Sequence, residues 1–207
     1  MLKRSAIVFC ALALLSTSVL SQSAIAPPAE EKVTALLIID IQDFYFPGGA
    51  MPLVGPEAAS LNAAKILEKF RAEGRPVIHV GHNAKSNMGF HVSVAPKSGE
   101  KIFYKDEVNA FNGTDLLPYL KEQKVRRLVI MGMQTHMCVE AAVRAASDFG
   151  FECILIEDAC ATRNLKYRNR EISAEDVHAA TLNTLDRNYA AVVDAETFLA
   201  TGEGMNR

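Results

Sequence analysis

From Val33 to Ile39 the chain is apolar at nearly every position, and the run stops at Asp40. Unbroken apolarity, rather than alternation, predicts a strand covered on both faces, as in a parallel sheet. Pro76 to Val80, Arg127 to Met131, Glu152 to Ile156 and Ala190 to Val193 read as further strands, with a brief one at Lys101 to Tyr104. Between them lie helical stretches. Pro56 opens one that runs to about Ala72, with Leu61, Ala64, Ile66, Leu67 and Phe70 on its apolar face and Gly74 as its stop. Thr114 or Asp115 caps a second, to about Gln123. Cys138 starts a third, closed by Gly150. Ser173 with Asp176 forms a capping box for a fourth, to about Arg187. Strands alternating with helices predict a three-layer α/β/α domain, a doubly wound and mainly parallel sheet. Residues 81–100 have no clean period and read as a long loop of the kind that often carries function.

The first 26 residues change the picture. A basic start at Lys3 and Arg4, an apolar run from Ala6 to Leu15, and Ala24-Ile25-Ala26 before two prolines make the layout of a signal peptide. The expectation is removal of residues 1–26, leaving one domain over 27–207 that is exported, to the periplasm or outside if the source is bacterial. The apolar run is too short for a permanent span, so no membrane insertion is expected after cleavage. Export removes Cys10 and leaves Cys138, Cys153 and Cys160. Cys153 opens a strand and Cys160 lies beyond its end, too far apart for a bridge. The 207 residues carry a formal charge of −2 without a basic stripe, which gives no reason to expect a nucleic-acid partner.

In a doubly wound sheet, ligands gather beyond the carboxyl ends of the strands. Asp40, Lys105 and Cys138 all fall there. A cysteine at a helix start feels the positive end of the peptide dipoles, which favours the nucleophilic thiolate. The nearby N–H groups can also hold an oxyanion. The alternative, a small buried core cysteine, stays open on pattern alone. Asp40 can carry a proton to a leaving amine or simply terminate a strand. Lys105 can stabilise a thiolate or stand in solvent.

The order of three motifs sharpens this. Asp40-Ile41-Gln42-Asp43-Phe44 after its strand, Lys105 with Asn109-Ala110-Phe111, and Gly132-Met133-Gln134-Thr135-His136-Met137-Cys138 together resemble the isochorismatase-like cysteine hydrolases, from about Ala35 to Leu199. That family includes nicotinamidase and N-carbamoylsarcosine amidohydrolase. The resemblance implies a triad of Asp40, Lys105 and Cys138 and a non-proline cis peptide between Met133 and Gln134. It also implies an oxyanion site from the amides of Gln134 and Cys138, and a homo-oligomer. The expected reaction is hydrolysis of a small amide, ureide or carbamoyl C–N bond through a thioester. His82, His91, His136, Phe44, Tyr45 and Phe111 are candidates for the pocket wall. Nicotinamidases carry an Asp/His metal cluster, whereas His79 and His82 lie three apart on a strand end without a nearby aspartate. No metal and no cofactor are therefore expected. Rival readings are vinyl-ether hydrolysis of isochorismate, a binding protein that retains the fold, and a redox thiol protein lacking a resolving partner.

Overall fold

The computed structural model describes residues 33–84 and 89–201. The signal-peptide reading, Cys10 and part of the 81–100 loop lie outside them. Strands β1 (Val33–Ile39), β2 (Val77–His82), β3 (Lys101–Lys105), β4 (Val125–Met133), β5 (Glu152–Ala161) and β8 (Ala191–Val193) form a six-stranded sheet in the order β3-β2-β1-β4-β5-β8. Every neighbouring pair is parallel. The chain winds outward from β1 to one edge and from β4 to the other. The direction of winding reverses between β1 and β4, the place where such sheets leave a crevice. Helices α1 (Pro56–Ala72), α2 (Leu116–Glu122), α3 (Glu140–Asp148), α4 (Ala174–Leu185) and α5 (Ala195–Thr201) flank it. Ala35 through Ile39 and Leu128 through Met131 are fully buried, which explains their unbroken apolarity. Among the described residues no helix is long and apolar enough to cross a membrane.

Several expectations need correction. Leu61 does not face the core: it is 61% exposed, and the buried stripe of α1 runs through Ala59, Ala63, Ile66, Leu67 and Phe70. β5 does not end at Ile156. Its pairing slips where β4 advances from Ile130 to Gly132 and β5 from Leu155 to Cys160, and it then continues to Ala161. A bulge of that kind lets polar residues such as Glu157 and Asp158 interrupt a strand without ending it. The short antiparallel pair β6 (Leu165–Tyr167) and β7 (Arg170–Ile172) and helix α5 were not anticipated. The Ser173 cap forms as expected, its hydroxyl accepting from the Asp176 amide at 3.0 Å.

The seam between β1 and β4 is tight. Gly132 has φ +139°, and a Cβ there would stand 1.9 Å from the Ile39 carbonyl oxygen. Only glycine fits. One residue beyond Ile39, Asp40 takes φ +51°, a left-handed conformation that aspartate tolerates better than most residues.

Candidate active site

Three strand ends converge on one point. Asp40 follows β1, Lys105 closes β3, and Cys138 follows β4. Adjacent strands sit roughly 4.8 Å apart, so an edge residue two strands from β1 needs a long side chain to reach it. Lys105 has one. Its Cα pairs with that of His82 on the intervening β2, and its side chain is fully buried. The ammonium lies 2.8 Å from Asp40 Oδ2, at ion-pair distance though off the hydrogen-bonding direction. It donates to Cys138 Sγ at 3.3 Å and to His82 Nδ1 at 3.2 Å. A lysine ammonium only donates, so His82 Nδ1 accepts and its proton sits on Nε2. Gln42 fixes the end of β2: its Nε2 donates to the His82 carbonyl at 3.2 Å and its Oε1 accepts from the His82 amide at 2.7 Å.

Cys138 is the fourth residue of a five-residue π turn, Thr135–Val139, that leads into α3. The regular helix therefore begins two residues later than the sequence suggested. The peptide bond between Met133 and Gln134 is cis. Two hydrogen bonds tie the turn to its surroundings: Thr135 Oγ1 lies 2.9 Å from His178 Nδ1, and His136 Nδ1 lies 2.6 Å from Thr162 Oγ1.

Burial works against the expected resting thiolate. Burial pushes the Cys138 thiol up to about 12, and the Asp40 charge adds to that push, while Lys105 opposes it without prevailing. Burial also raises Asp40 above the usual carboxylate range, against the pull of Lys105. The helix-mouth dipole alone does not ionise a sulfur that is only 5% exposed. Burial thus raises the proton affinity of both the thiol and the neighbouring carboxyl group. Neither Asp40 oxygen is fully satisfied by hydrogen bonds. An arrangement of this kind is built to pass a proton.

Beside the sulfur opens a cavity of about 380 Å³. Phe44, Tyr45, Met51, Val108 and Met137 give it an apolar wall. The polar contributions come from His82, Asn83, Gln134 and Arg163. Of the anticipated wall residues, Phe44, Tyr45 and His82 line it. Phe111 does not: it packs with Phe149 and Phe151, at centroid distances of 5.4 and 6.5 Å. His136 is engaged with Thr162, and His91 stacks on Phe46 at 3.6 Å. Sequence reasoning missed Met51 and Arg163, which lie on polar or irregular stretches without a period to place them.

A metal does not fit the histidines. His79 is fully buried, with its Nε2 held 2.9 Å from Glu100 Oε2. His82 faces the Lys105 ammonium, which repels a cation. Among the described residues no group of three or more His, Cys, Asp or Glu side chains could hold a metal ion. Cys153 and Cys160 are free and buried.

Residues 34–197 match the model of the isochorismatase domain. A Bacillus subtilis protein described as an uncharacterised isochorismatase family protein, YddQ, is 44% identical over 177 residues, covering 80% of this chain and 98% of that one. The maleamate amidohydrolase of Pseudomonas putida is 29% identical over 184 residues, covering 77% and 82% of the two chains. The crystal structure of an isochorismatase from Pseudomonas putida superposes with a TM-score of 0.76 at 33% identity, covering 83% of this chain and 92% of that one.

Proposed function

The chain belongs to the isochorismatase family of hydrolases, and from that premise we propose that it cleaves the C–N bond of a small amide, ureide or carbamoyl compound with Cys138 as nucleophile. The observation that carries this reading is the lysine ammonium placed between a carboxylate and a sulfur, 2.8 Å from one and 3.3 Å from the other, with the sulfur on the wall of a mainly apolar cavity.

A thiol whose proton affinity is raised by burial sets the first step. Sulfur attacks the carbonyl carbon as its proton passes to Asp40, whose raised proton affinity suits it as an acceptor. Lys105 stabilises the negative charge that builds on sulfur. The amides of Gln134 and Cys138 receive the carbonyl oxygen as it becomes an oxyanion. Asp40 then gives the proton to the departing nitrogen, and ammonia or an amine leaves a thioester on Cys138. Water attacks the thioester, Asp40 takes one of its protons, and the released thiolate recovers that proton to restore the thiol.

The test is ammonia release from a panel of small amides and ureas by wild type and Cys138→Ala. The expected result is turnover in wild type and none in the variant. Undiminished release by the variant would overturn the assignment of the nucleophile. Retained hydrolysis of isochorismate by Cys138→Ala would replace it with vinyl-ether chemistry.

A further inference from the structure

The first motif contains a buried amide that the reaction does not use. Main-chain pairing between β1 and β2 runs as far as Ile39 and Val80. Two residues further, the fully buried Gln42 side chain takes over the ladder: Nε2 donates to the His82 carbonyl at 3.2 Å, and Oε1 accepts from the His82 amide at 2.7 Å. A side chain that bonds both backbone groups of one residue fixes that residue as firmly as a strand would. On its other side His82 is in register with Lys105, and the next amide, of Asn83, donates to the Lys105 carbonyl at 2.9 Å. The imidazole and the ammonium start from paired positions and meet at 3.2 Å.

An ammonium carries three donors, and this one has three neighbours. The Asp40 oxygen is close but off the hydrogen-bonding direction. A thiol sulfur is a weak acceptor. The His82 nitrogen is the strong acceptor among them that is also aligned. A lysine stem is flexible and sets no direction of its own. Deprived of a fixed acceptor, a buried ammonium swings toward another or sheds its proton, and either outcome weakens the positive charge beside the sulfur. We propose that His82 is a positioning residue of this site: anchored by Gln42, it holds the Lys105 ammonium between Asp40 and Cys138 by accepting one of its protons. His82 thereby joins the three residues of the amide-hydrolase reading, on which the turnover measurements below rest. The glutamine two places after Asp40 acquires a role too, since it fixes the residue that fixes the lysine.

The experiment compares wild type with His82→Leu, which keeps the bulk and removes the acceptor, and with His82→Asn, whose amide oxygen reaches the place of Nδ1. Circular dichroism checks that each is folded. On the best small amide of the panel, His82→Leu should lose about thirty- to hundredfold in kcat, the scale of misplacing a catalytic group by an ångström, with KM changed by less than about threefold. His82→Asn should recover most of that loss. Added to Lys105→Ala, His82→Leu should lower kcat by less than about a further twofold, because residues that act as a unit are not additive. A second readout needs no turnover: the rate at which iodoacetamide alkylates Cys138 at one fixed pH, followed on the peptide that carries it and so kept apart from the free Cys153 and Cys160. That rate should fall about tenfold in His82→Leu, where the displaced cation no longer favours the thiolate, and no further in the double variant than in Lys105→Ala. Kcat and alkylation near wild type in His82→Leu would overturn the proposal. So would a loss that repeats in full without Lys105, the mark of a general disturbance, or an asparagine variant as poor as the leucine one. If wild type cleaves no amide, the alkylation series still decides for or against His82, and the amide-hydrolase reading alone falls.

Discussion

Two clusters in this protein are made of the same parts. At the candidate active site a carboxylate, Asp40, meets a cation, Lys105, and a titratable third group, Cys138. On the far side of β2 a carboxylate, Glu100, meets a cation, Arg71, and a titratable third group, His79. Their proton affinities go opposite ways. Burial raises Asp40 and prevails. Burial would also raise Glu100, but hydrogen bonds from Arg71, the Lys97 amide and His79 outweigh it and hold the carboxyl near 2. Arg71 donates to both Glu100 oxygens, at 2.6 and 2.9 Å, and the Lys97 amide adds a third bond at 2.8 Å. Asp40 has an ion pair at close range and little aligned hydrogen bonding. The difference is satisfaction. A carboxylate with every lone pair occupied is a structural clamp, and one left short is available for chemistry.

Mutations should separate the two. The largest effect belongs to the incomplete cluster: Asp40→Asn or Lys105→Ala should lower kcat by roughly a thousandfold, the range for a lost acid–base or charge-stabilising group. Both variants should remain folded by circular dichroism. Near-normal turnover in either would erase the distinction. In the satisfied cluster, Arg71→Ala should cost about 2 kcal/mol in urea unfolding, because it strands a half-buried carboxylate, with kcat changed by less than about threefold. A large loss of activity without loss of stability would reverse the assignment.

A pH series sharpens the contrast further. A carboxyl with a depressed folded-state value stabilises the protein above its ordinary value of 4.5, and that stability fades as pH falls toward about 2. Acid unfolding followed between those values should therefore be shallower in Glu100→Gln than in wild type. The same slope in both would show that the Glu100 bonds contribute nothing. The smallest effect is expected at Phe111→Leu, which touches neither cluster. It should lower stability by about 1 kcal/mol and leave kcat/KM within twofold.

Legibility in the sequence followed burial and periodicity. The strands that proved fully covered, β1 and β4 above all, announced themselves as unbroken apolar runs. Asp40, Lys105 and Cys138 could be singled out because a parallel sheet assigns strand ends to ligands and because three motifs came in a recognisable order. The state of the sulfur could not be read that way. It depends on how much water reaches residue 138 and on which neighbour folds beside it from 98 positions away, and neither is a local property. The bulge in β5 escaped for a similar reason: Glu157 and Asp158 look like a strand's end when only the pattern is seen. An aromatic residue beside a motif suggests a pocket wall, but the Phe111 ring packs against Phe149 and Phe151, beyond the end of α3.

The slip in pairing between β4 and β5 has an evolutionary consequence. Cys138 follows one strand, and Thr162 and Arg163 follow the irregular end of the next. Lengthening or shortening that ragged end by a residue would bring a different side chain to the cavity beside Cys138, while the seam at Gly132 stays untouched. A lineage could thus remodel the cavity wall by editing a few codons around position 160 and inherit the Asp40–Lys105–Cys138 cluster unaltered.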